Sequence, residues 1–336
     1  MNNRIVLGTA IAVPLSIIGI GILFQLLGSV DSDFYFTWPY YLEVLIAGLL
    51  QGVMYALVAL GFVLIFKASG VFNFAQGSLV LFAALTMVGM MELGLHWVLA
   101  MVVTGAIMVL VGLAVERVVL RPLVNQPPII LFMATIGIFY FVDGFGQTLW
   151  GSDVKILDIG IPKDPIFIAE ELFEGGMLIN KFDLIAAIVC AILVAILAVF
   201  FQVTKTGRAL RAVADDHQAA LSVGIPLKTI WAIVWSVAGF VALVAGIMWG
   251  GKLGVQFTLA LIALKALPVL ILGGFTSIPG AIIGGLIIGA GEQVAEVFLG
   301  GYVGGGIQDW FAYMLAMMFL LFRPQGLFGE KIIERV

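Results

Sequence analysis

Long apolar runs separated by short polar segments dominate the chain. Ten runs, two of them short, occupy residues 5–28, 42–66, 78–92, 97–117, 129–150, 184–203, 228–250, 262–275, 279–298 and 307–322. About 20 apolar residues in a helix cross the ~30 Å hydrocarbon core of a bilayer. Because the runs are continuously apolar and do not alternate with period two, they favour helices over the strands of a barrel. The pattern predicts an all-α, polytopic transmembrane bundle of about 8–10 spans, with short or broken segments.

Two polar or glycine-rich breaks interrupt this pattern. The first, KASGVFNFAQGS at 67–78, places Asn73 and Gln76 between two apolar runs. Irregular backbone at membrane depth persists only where it is buried in protein or lines a wet cavity. We therefore expect these two side chains to shape a solute path or its inner gate. The second break, at 265–291, has GxxxG spacings at Gly280/Gly284 and Gly285/Gly289, which predict close helix packing.

Residues 204–228, TKTGRALRAVADDHQAALSVGIPLK, form an extended polar island between apolar runs. Its apolar positions recur with helical spacing, which predicts two short amphipathic helices. An acidic residue caps the second helix, over 217–223, and a glycine ends it before Pro226. Such a compact knob fits a docking element for a cytoplasmic protein, and a helix lying on the bilayer surface is the alternative. The residues assigned to docking are Arg208, Leu210, Arg211, Val213, Asp215, Asp216, Leu221 and Gly224.

Composition agrees with a membrane protein, and the placement of charge gives an orientation. The chain is 62% hydrophobic and 11% charged. Cytoplasmic loops carry the excess of Lys and Arg. With the N-terminus inside, the island falls inside too, and loop 151–183, with seven acids against three lysines, falls outside. This predicts a single transmembrane domain over 1–336 with both termini in the cytoplasm. The first run is expected to be a retained span, because it is longer than the core of a signal peptide.

Sequence signatures of enzymatic chemistry are missing from the chain. It contains no GxxxxGK[ST] nucleotide loop, no HExxH and no CxxC, and it has two histidines and one cysteine. We therefore expect no enzyme activity, metal site or cofactor. Transport is the function class that remains open. Asp143 and Glu292 are the acids deepest in the runs, and Gln293 follows Glu292. With Asn73 and Gln76 they are assigned to a translocation path, with helix-to-helix pairing of the two acids as the alternative.

Four blocks of sequence resemble the permeases of one transporter family. They are ALGFVLIFKASGVFNFAQGSLVLFAA, the island GRALRAVADDHQAALSVGI, LPVLILGGFTSIPGAIIGGLIIG, and FRPQGLFGEK near the C-terminus. They are similar to blocks of LivH-type permeases, the branched-chain amino-acid subfamily of bacterial ABC importers. The blocks reach from about residue 59 to 331. Thr276 stands where that family often has glycine, and loop 151–183 is longer and more acidic than its usual counterpart.

The resemblance implies a multi-pass subunit of a bacterial inner-membrane importer. A second, LivM-like permease would complete the path, two cytoplasmic ATPase subunits would bind ATP and dock on the island, and a periplasmic or extracellular binding protein would deliver substrate. The substrates of the family include leucine, isoleucine and valine, with relatives for urea, amides and carboxylic acids. An ion-coupled secondary carrier and a passive small-solute channel are the competing functions, because neither needs an ATPase.

Overall fold

The computed structural model describes residues 38–123, 126–168, 170, 176–215, 217–303 and 305–329. The predicted span at 5–28 lies outside these residues. The α-helices are α1 (Trp38–Ser69), α2 (Gln76–Glu92), α3 (Trp97–Ala114), α4 (Pro128–Trp150), α5 (Lys181–Val203), α6 (Lys205–Asp215), α7 (His217–Ser222), α8 (Leu227–Leu253), α9 (Ile262–Gly273), α10 (Ile278–Val303) and α11 (Phe311–Phe322). A π-helix at Val115–Leu120 extends α3, and short 3-10 turns occupy Arg121–Leu123, Phe257–Leu261 and Ile307–Asp309.

These helices confirm the predicted helical membrane bundle. Among the described residues, six helices are long and apolar enough to cross a membrane, and three shorter apolar ones accompany them. Each of the nine predicted spans within the described residues coincides with one of these helices. The third and eighth predicted spans are short, as expected, and α11 is also short at 12 residues. The chain is therefore a multi-pass membrane protein.

The loop between α4 and α5 contains a small β-hairpin that the sequence pattern did not predict. Strand β1 (Pro165–Ile168) pairs antiparallel with β2 (Met177–Asn180). The amide of Leu178 also donates to a carboxylate oxygen of Glu43 at 2.9 Å, which ties the hairpin to the start of α1. Four-residue strands give too little periodicity to be recognised in a polar loop.

The described chain divides into two compact units. The first comprises the part of α1 up to Ala56, residues 161–189, and the chain from Lys265 onward; the second comprises 57–160 and 190–264. In the second unit, α2 is the central element, because every residue from Gln76 to Gly89 is buried. Helix α8 approaches closely there, since a side chain at Gly246 would meet the Val80 carbonyl at 2.5 Å.

In the first unit, glycines bring α1 and α10 together. A Cβ atom on Gly48 would lie 2.7 Å from the Gly289 carbonyl oxygen, and one on Gly285 would lie 2.6 Å from that of Gly52. Side chains at these positions would therefore force the helices apart. Gly284 similarly faces the carbonyl oxygen of Val269 on α9, at 2.6 Å. The expectation that the GxxxG spacings serve close packing is confirmed.

Two of the family-like blocks meet in the first unit. The Leu327 amide donates to the Leu272 carbonyl at 2.8 Å, and the Phe328 amide donates to that of Gly273 at 3.1 Å. The C-terminal segment thus satisfies carbonyl groups that the end of α9 leaves open. Gly274 adopts a positive φ of 102°, which lets the chain turn at this point toward α10.

Candidate transport site and coupling element

A buried ion pair lies within the first unit. The Lys265 ammonium on α9 is 3.4 Å from Oε1 of Glu292 on α10. The Glu292 side chain is only 1% exposed, whereas that of Lys265 is 31% exposed. Because a buried charge without a partner is costly, this lysine stabilises the ionised carboxylate. The helix-to-helix pairing that was considered as an alternative for Glu292 is therefore present.

A chain of hydrogen bonds connects this pair to α1. The Gln293 amide donates to Oε1 of Gln51 at 3.1 Å, and the Gln51 amide donates to the Tyr55 hydroxyl at 3.0 Å. That hydroxyl in turn donates to Oε1 of Glu292 at 3.3 Å. Glu292 and Gln293, both predicted path residues, thus belong to one polar network in the first unit. Tyr55 was missed, because an aromatic residue in an apolar run gives no sign of polar contacts.

The network reaches an exposed acid at the other end. Asp309 Oδ1 lies 3.0 Å from the Lys265 ammonium, and the Asp309 side chain is 71% exposed. Glu296, one turn beyond Glu292, accepts from the amides of Gly306 at 3.0 Å and Gln308 at 2.9 Å. These two bonds hold the turn that carries Asp309. Lys265 is therefore shared between one buried and one exposed carboxylate.

Two predicted path residues of the second unit lie at the break between α1 and α2. Asn73 and Gln76 are both fully buried. Oδ1 of Asn73 accepts from the Ala75 amide at 3.1 Å, which shapes the turn that leads into α2. The Gln76 amide group packs directly against Gly61, where a larger residue would clash. Its Nε2 and Oε1 have no hydrogen-bond partner in the part of the chain that the structure describes.

Asp143 also lies in the second unit, half-buried on α4. Its Oδ2 accepts from Nε2 of Gln147, one turn later, at 3.1 Å. Its buried Oδ1 makes no hydrogen bond to any residue with a described position. The two units thus contain separate groups of predicted path residues, with Glu292 and Gln293 in the first and Asn73, Gln76 and Asp143 in the second.

The polar island folds as two short helices in the second unit, α6 and α7, as predicted. Leu210 is 1% exposed and Val213 is fully buried, so both already pack against the rest of this chain. The Arg211 guanidinium donates to the carbonyls of Phe201 at 2.7 Å and Gln202 at 3.2 Å and thereby caps the end of α5. Arg208 is exposed. Asp216 and the Asp215 side chain lie outside the described residues, so the predicted acidic cap stays a prediction.

Gly224 ends α7 in the way that the sequence predicted. It has a positive φ of 84°, its amide donates to the Leu221 carbonyl at 3.0 Å, and the Ile225 amide donates to the Ala220 carbonyl at 3.0 Å. These two bonds define a Schellman motif, which favours glycine because the left-handed conformation strains other residues. The motif fixes the exit of the chain from the island toward α8.

The exposed side of α7 borders a cavity of about 630 Å³ within the second unit. Leu221, which is 54% exposed, lines the cavity together with Trp231 and Lys228. Arg121 and Glu116 also line the cavity, and Arg121 pairs with this buried acid of the π-helix through two hydrogen bonds, of 3.0 and 2.7 Å. The island therefore combines a buried half, which attaches it to the rest of the chain, with an exposed apolar rim beside a recess.

The comparisons with known proteins identify the family of the chain. The family model described as "Branched-chain amino acid transport system / permease component" matches residues 44–323. The chain is 31% identical over 312 residues to the high-affinity branched-chain amino acid transport permease BraD of Pseudomonas aeruginosa, covering 88% of this chain and 98% of the relative. It is 30% identical over 318 residues to LivH of Escherichia coli K12, with the same coverage. A probable LivH of Methanocaldococcus jannaschii is 28% identical over 292 residues, covering 81% of this chain and 88% of that relative. The chain therefore belongs to the LivH-type permease components of branched-chain amino acid transport systems.

Proposed function

We propose that this chain is the membrane permease subunit of an ATP-driven importer that moves branched-chain amino acids, or a related small polar solute, across the bacterial cytoplasmic membrane. The observation that carries the proposal is the family match over 44–323, which covers the whole of the second compact unit and part of the first. The chain would act as one permease domain, with both termini in the cytoplasm. It would itself perform no catalysis and bind no cofactor, because ATP would bind to partner subunits.

The island would be the point where an ATPase subunit docks. Leu210, Val213 and Arg211 attach it to the permease, which makes it a stiff lever. Arg208 and Leu221 remain exposed for a partner, and the recess beside Leu221 can receive an apolar side chain of that partner. Burial of apolar surface would supply affinity, and the guanidinium would pair with acidic groups of the ATPase.

The remaining partners would be a second, LivM-like permease subunit, a second ATPase subunit and a binding protein on the outer side. The relatives are named for branched-chain amino acid transport, so leucine, isoleucine and valine are the first substrates to test. The path would use Glu292 and Gln293 of the first unit, with Asn73, Gln76 and Asp143 of the second contributing to the path or its inner gate.

The test is reconstitution of the complete complex in proteoliposomes, with uptake of labelled leucine, isoleucine and valine measured. We expect uptake that needs the binding protein outside and ATP at the ATPase, and that is abolished when the ATPase carries a substituted nucleotide-loop lysine. Uptake that persists without ATP and stops when the ion gradient collapses would establish a secondary carrier. Uptake by this chain alone in vesicles would establish a channel. Either result would overturn the proposal.

A further inference from the structure

The ionic cluster of the first unit has an unbalanced charge. Lys265 carries one positive charge, while its two partners, Glu292 and Asp309, carry one negative charge each. The cluster also leads from the surface inward, from the exposed Asp309 through the half-buried Lys265 to the buried Glu292. A ligand with one charge of each sign can therefore offer a cation to Glu292 and an anion to Lys265, and the partner that it displaces from the lysine, Asp309, is exposed to water.

The contacts of Glu292 are loose. Close pairs between an ammonium and a carboxylate are usually about 2.7–2.9 Å apart. Here the distance from Glu292 to Lys265 is 3.4 Å and that from the Tyr55 hydroxyl is 3.3 Å, and Oε1 makes both contacts. The lysine lies closer to the exposed Asp309, at 3.0 Å. A ligand ammonium can therefore replace Lys265 at Glu292 with little loss, provided that the lysine keeps another anion.

The position of the cluster suits a transport path. Glu292 is 14 residues beyond Ile278, the first residue of α10, which corresponds to about 21 Å along a helix that rises ~1.5 Å per residue. Because α10 is long and apolar enough to span a membrane, this position falls within the ~30 Å hydrocarbon core that such a helix would cross. Ionisable side chains at such depth are costly and mark pathways or binding sites in membrane proteins.

We propose that Lys265 and Glu292 form a binding site for a zwitterionic α-amino acid on its way through the permease. The ligand ammonium binds Glu292, the ligand carboxylate binds Lys265, and Asp309 is the partner that the lysine releases. The inference rests on the proposed function and deepens it. Solutes without both charges are selected against: a neutral amide or urea pairs neither residue, and a dicarboxylate adds to the negative excess.

The test uses the exposed end of the cluster. Asp309→Cys places a thiol next to Lys265, and Cys190, the one native cysteine, is buried. In the assembled complex, the rate of labelling by a sulfonate-bearing thiol reagent is measured with leucine, with leucinamide, which lacks the carboxylate, and with 4-methylpentanoate, which lacks the ammonium. We expect leucine to slow labelling at least threefold and the two analogues to have little effect. Adding Glu292→Gln should abolish the protection.

Equal labelling rates with and without leucine, or equal protection by all three compounds, would overturn the proposal. A transport measurement provides the second test. The neutral pair Lys265→Gln/Glu292→Gln should assemble, because no buried charge is left unpaired, but its leucine uptake should fall at least tenfold. Asp153→Asn, which changes an exposed acid outside the cluster, is the matched control and should keep uptake within about twofold of the parent. Uptake by the neutral pair at the parent rate would show that the ion pair is only structural.

Stimulation of ATP hydrolysis by the liganded binding protein is recorded in the same preparations. It reports coupling to the ATPase independently of the site. Stimulated hydrolysis without selective protection by leucine would refute the zwitterion site and leave the importer function in place. A complex of the parent permease without ATP-dependent uptake would refute the proposed function itself.

Discussion

Leu210 lies on α6 and Leu221 on the next helix, α7. Replacing either leucine with aspartate should have a different effect at each position, on folding at Leu210 and on docking at Leu221. Leu210 is 1% exposed, and Leu221 is 54% exposed beside the 630 Å³ cavity. Replacing a buried leucine with alanine costs about 2–5 kcal/mol, and an aspartate in the same place adds the cost of desolvating a charge. Leu210→Asp is therefore expected to detach or unfold the island. Leu221→Asp should leave the island folded, because its side chain can stay in water.

The effect of Leu221→Asp on docking follows from the area that a partner would cover. Full burial of a leucine contributes about 1.5–3 kcal/mol, so the exposed half contributes ~1 kcal/mol. Forcing a carboxylate into the contact adds about 1–3 kcal/mol for incomplete desolvation. The sum of about 2–4 kcal/mol corresponds to roughly a 30- to 1000-fold weaker affinity for the ATPase.

The assay is co-purification of the ATPase with the permease, followed by binding-protein-stimulated ATP hydrolysis and uptake in proteoliposomes. Leu221→Asp should insert and purify like the parent, lose the ATPase and lose uptake. Leu210→Asp should show lower yield and a lower unfolding temperature, and Leu221→Ala should have an intermediate affinity. Normal retention of the ATPase and normal uptake by a stably inserted Leu221→Asp variant would refute the docking assignment.

Three further predictions concern packing, charge and the break before α2. Gly289→Leu should sharply lower the yield of folded protein by separating α1 from α10. Gly144→Leu should not, because a Cβ there would meet no described atom within 4 Å apart from its chain neighbours and the adjacent backbone of its own helix; fluorescence-detected size exclusion measures both yields. Arg121→Gln removes the charged partner of the buried Glu116 and should lower the unfolding temperature, and adding Glu116→Gln should restore most of that loss. Gln76→Leu should keep or raise the unfolding temperature, because it removes a buried amide that lacks partners among the described residues. The same variant should slow uptake severalfold. Unchanged uptake would assign Gln76 to packing alone.

The helices and the end of the island were predictable because each depends on local sequence. Apolar runs define spans, and a glycine before Ile-Pro defines the end of α7. The sequence did not predict that Leu210 would be buried within the chain and Leu221 exposed. Both occupy apolar positions of short amphipathic helices, and helical spacing does not distinguish a face that packs on its own chain from one that stays exposed.

Contacts between side chains that are far apart in the sequence were equally hard to predict. Glu292 could be recognised as a deep acid, but its partner Lys265 is 27 residues away on another helix, and Tyr55 is 237 residues away. The choice of partner depends on how α1, α9 and α10 pack, and the glycine contacts at Gly48 and Gly289 control that packing. Only the GxxxG spacings on α10 hinted at it, without naming the opposite helix.

The bond between Gln51 and Gln293 also constrains the order of assembly, since 242 residues separate the two amides. At synthesis rates of about 5–20 residues per second, the first half of α1 waits roughly 10–50 s in the membrane before α10 exists. During that time Gln51 and the glycine face of α1 need a temporary covering of lipid, water or the insertion machinery. The first unit is therefore the last to complete its packing. Its ionic cluster forms only after the second unit has had time to fold.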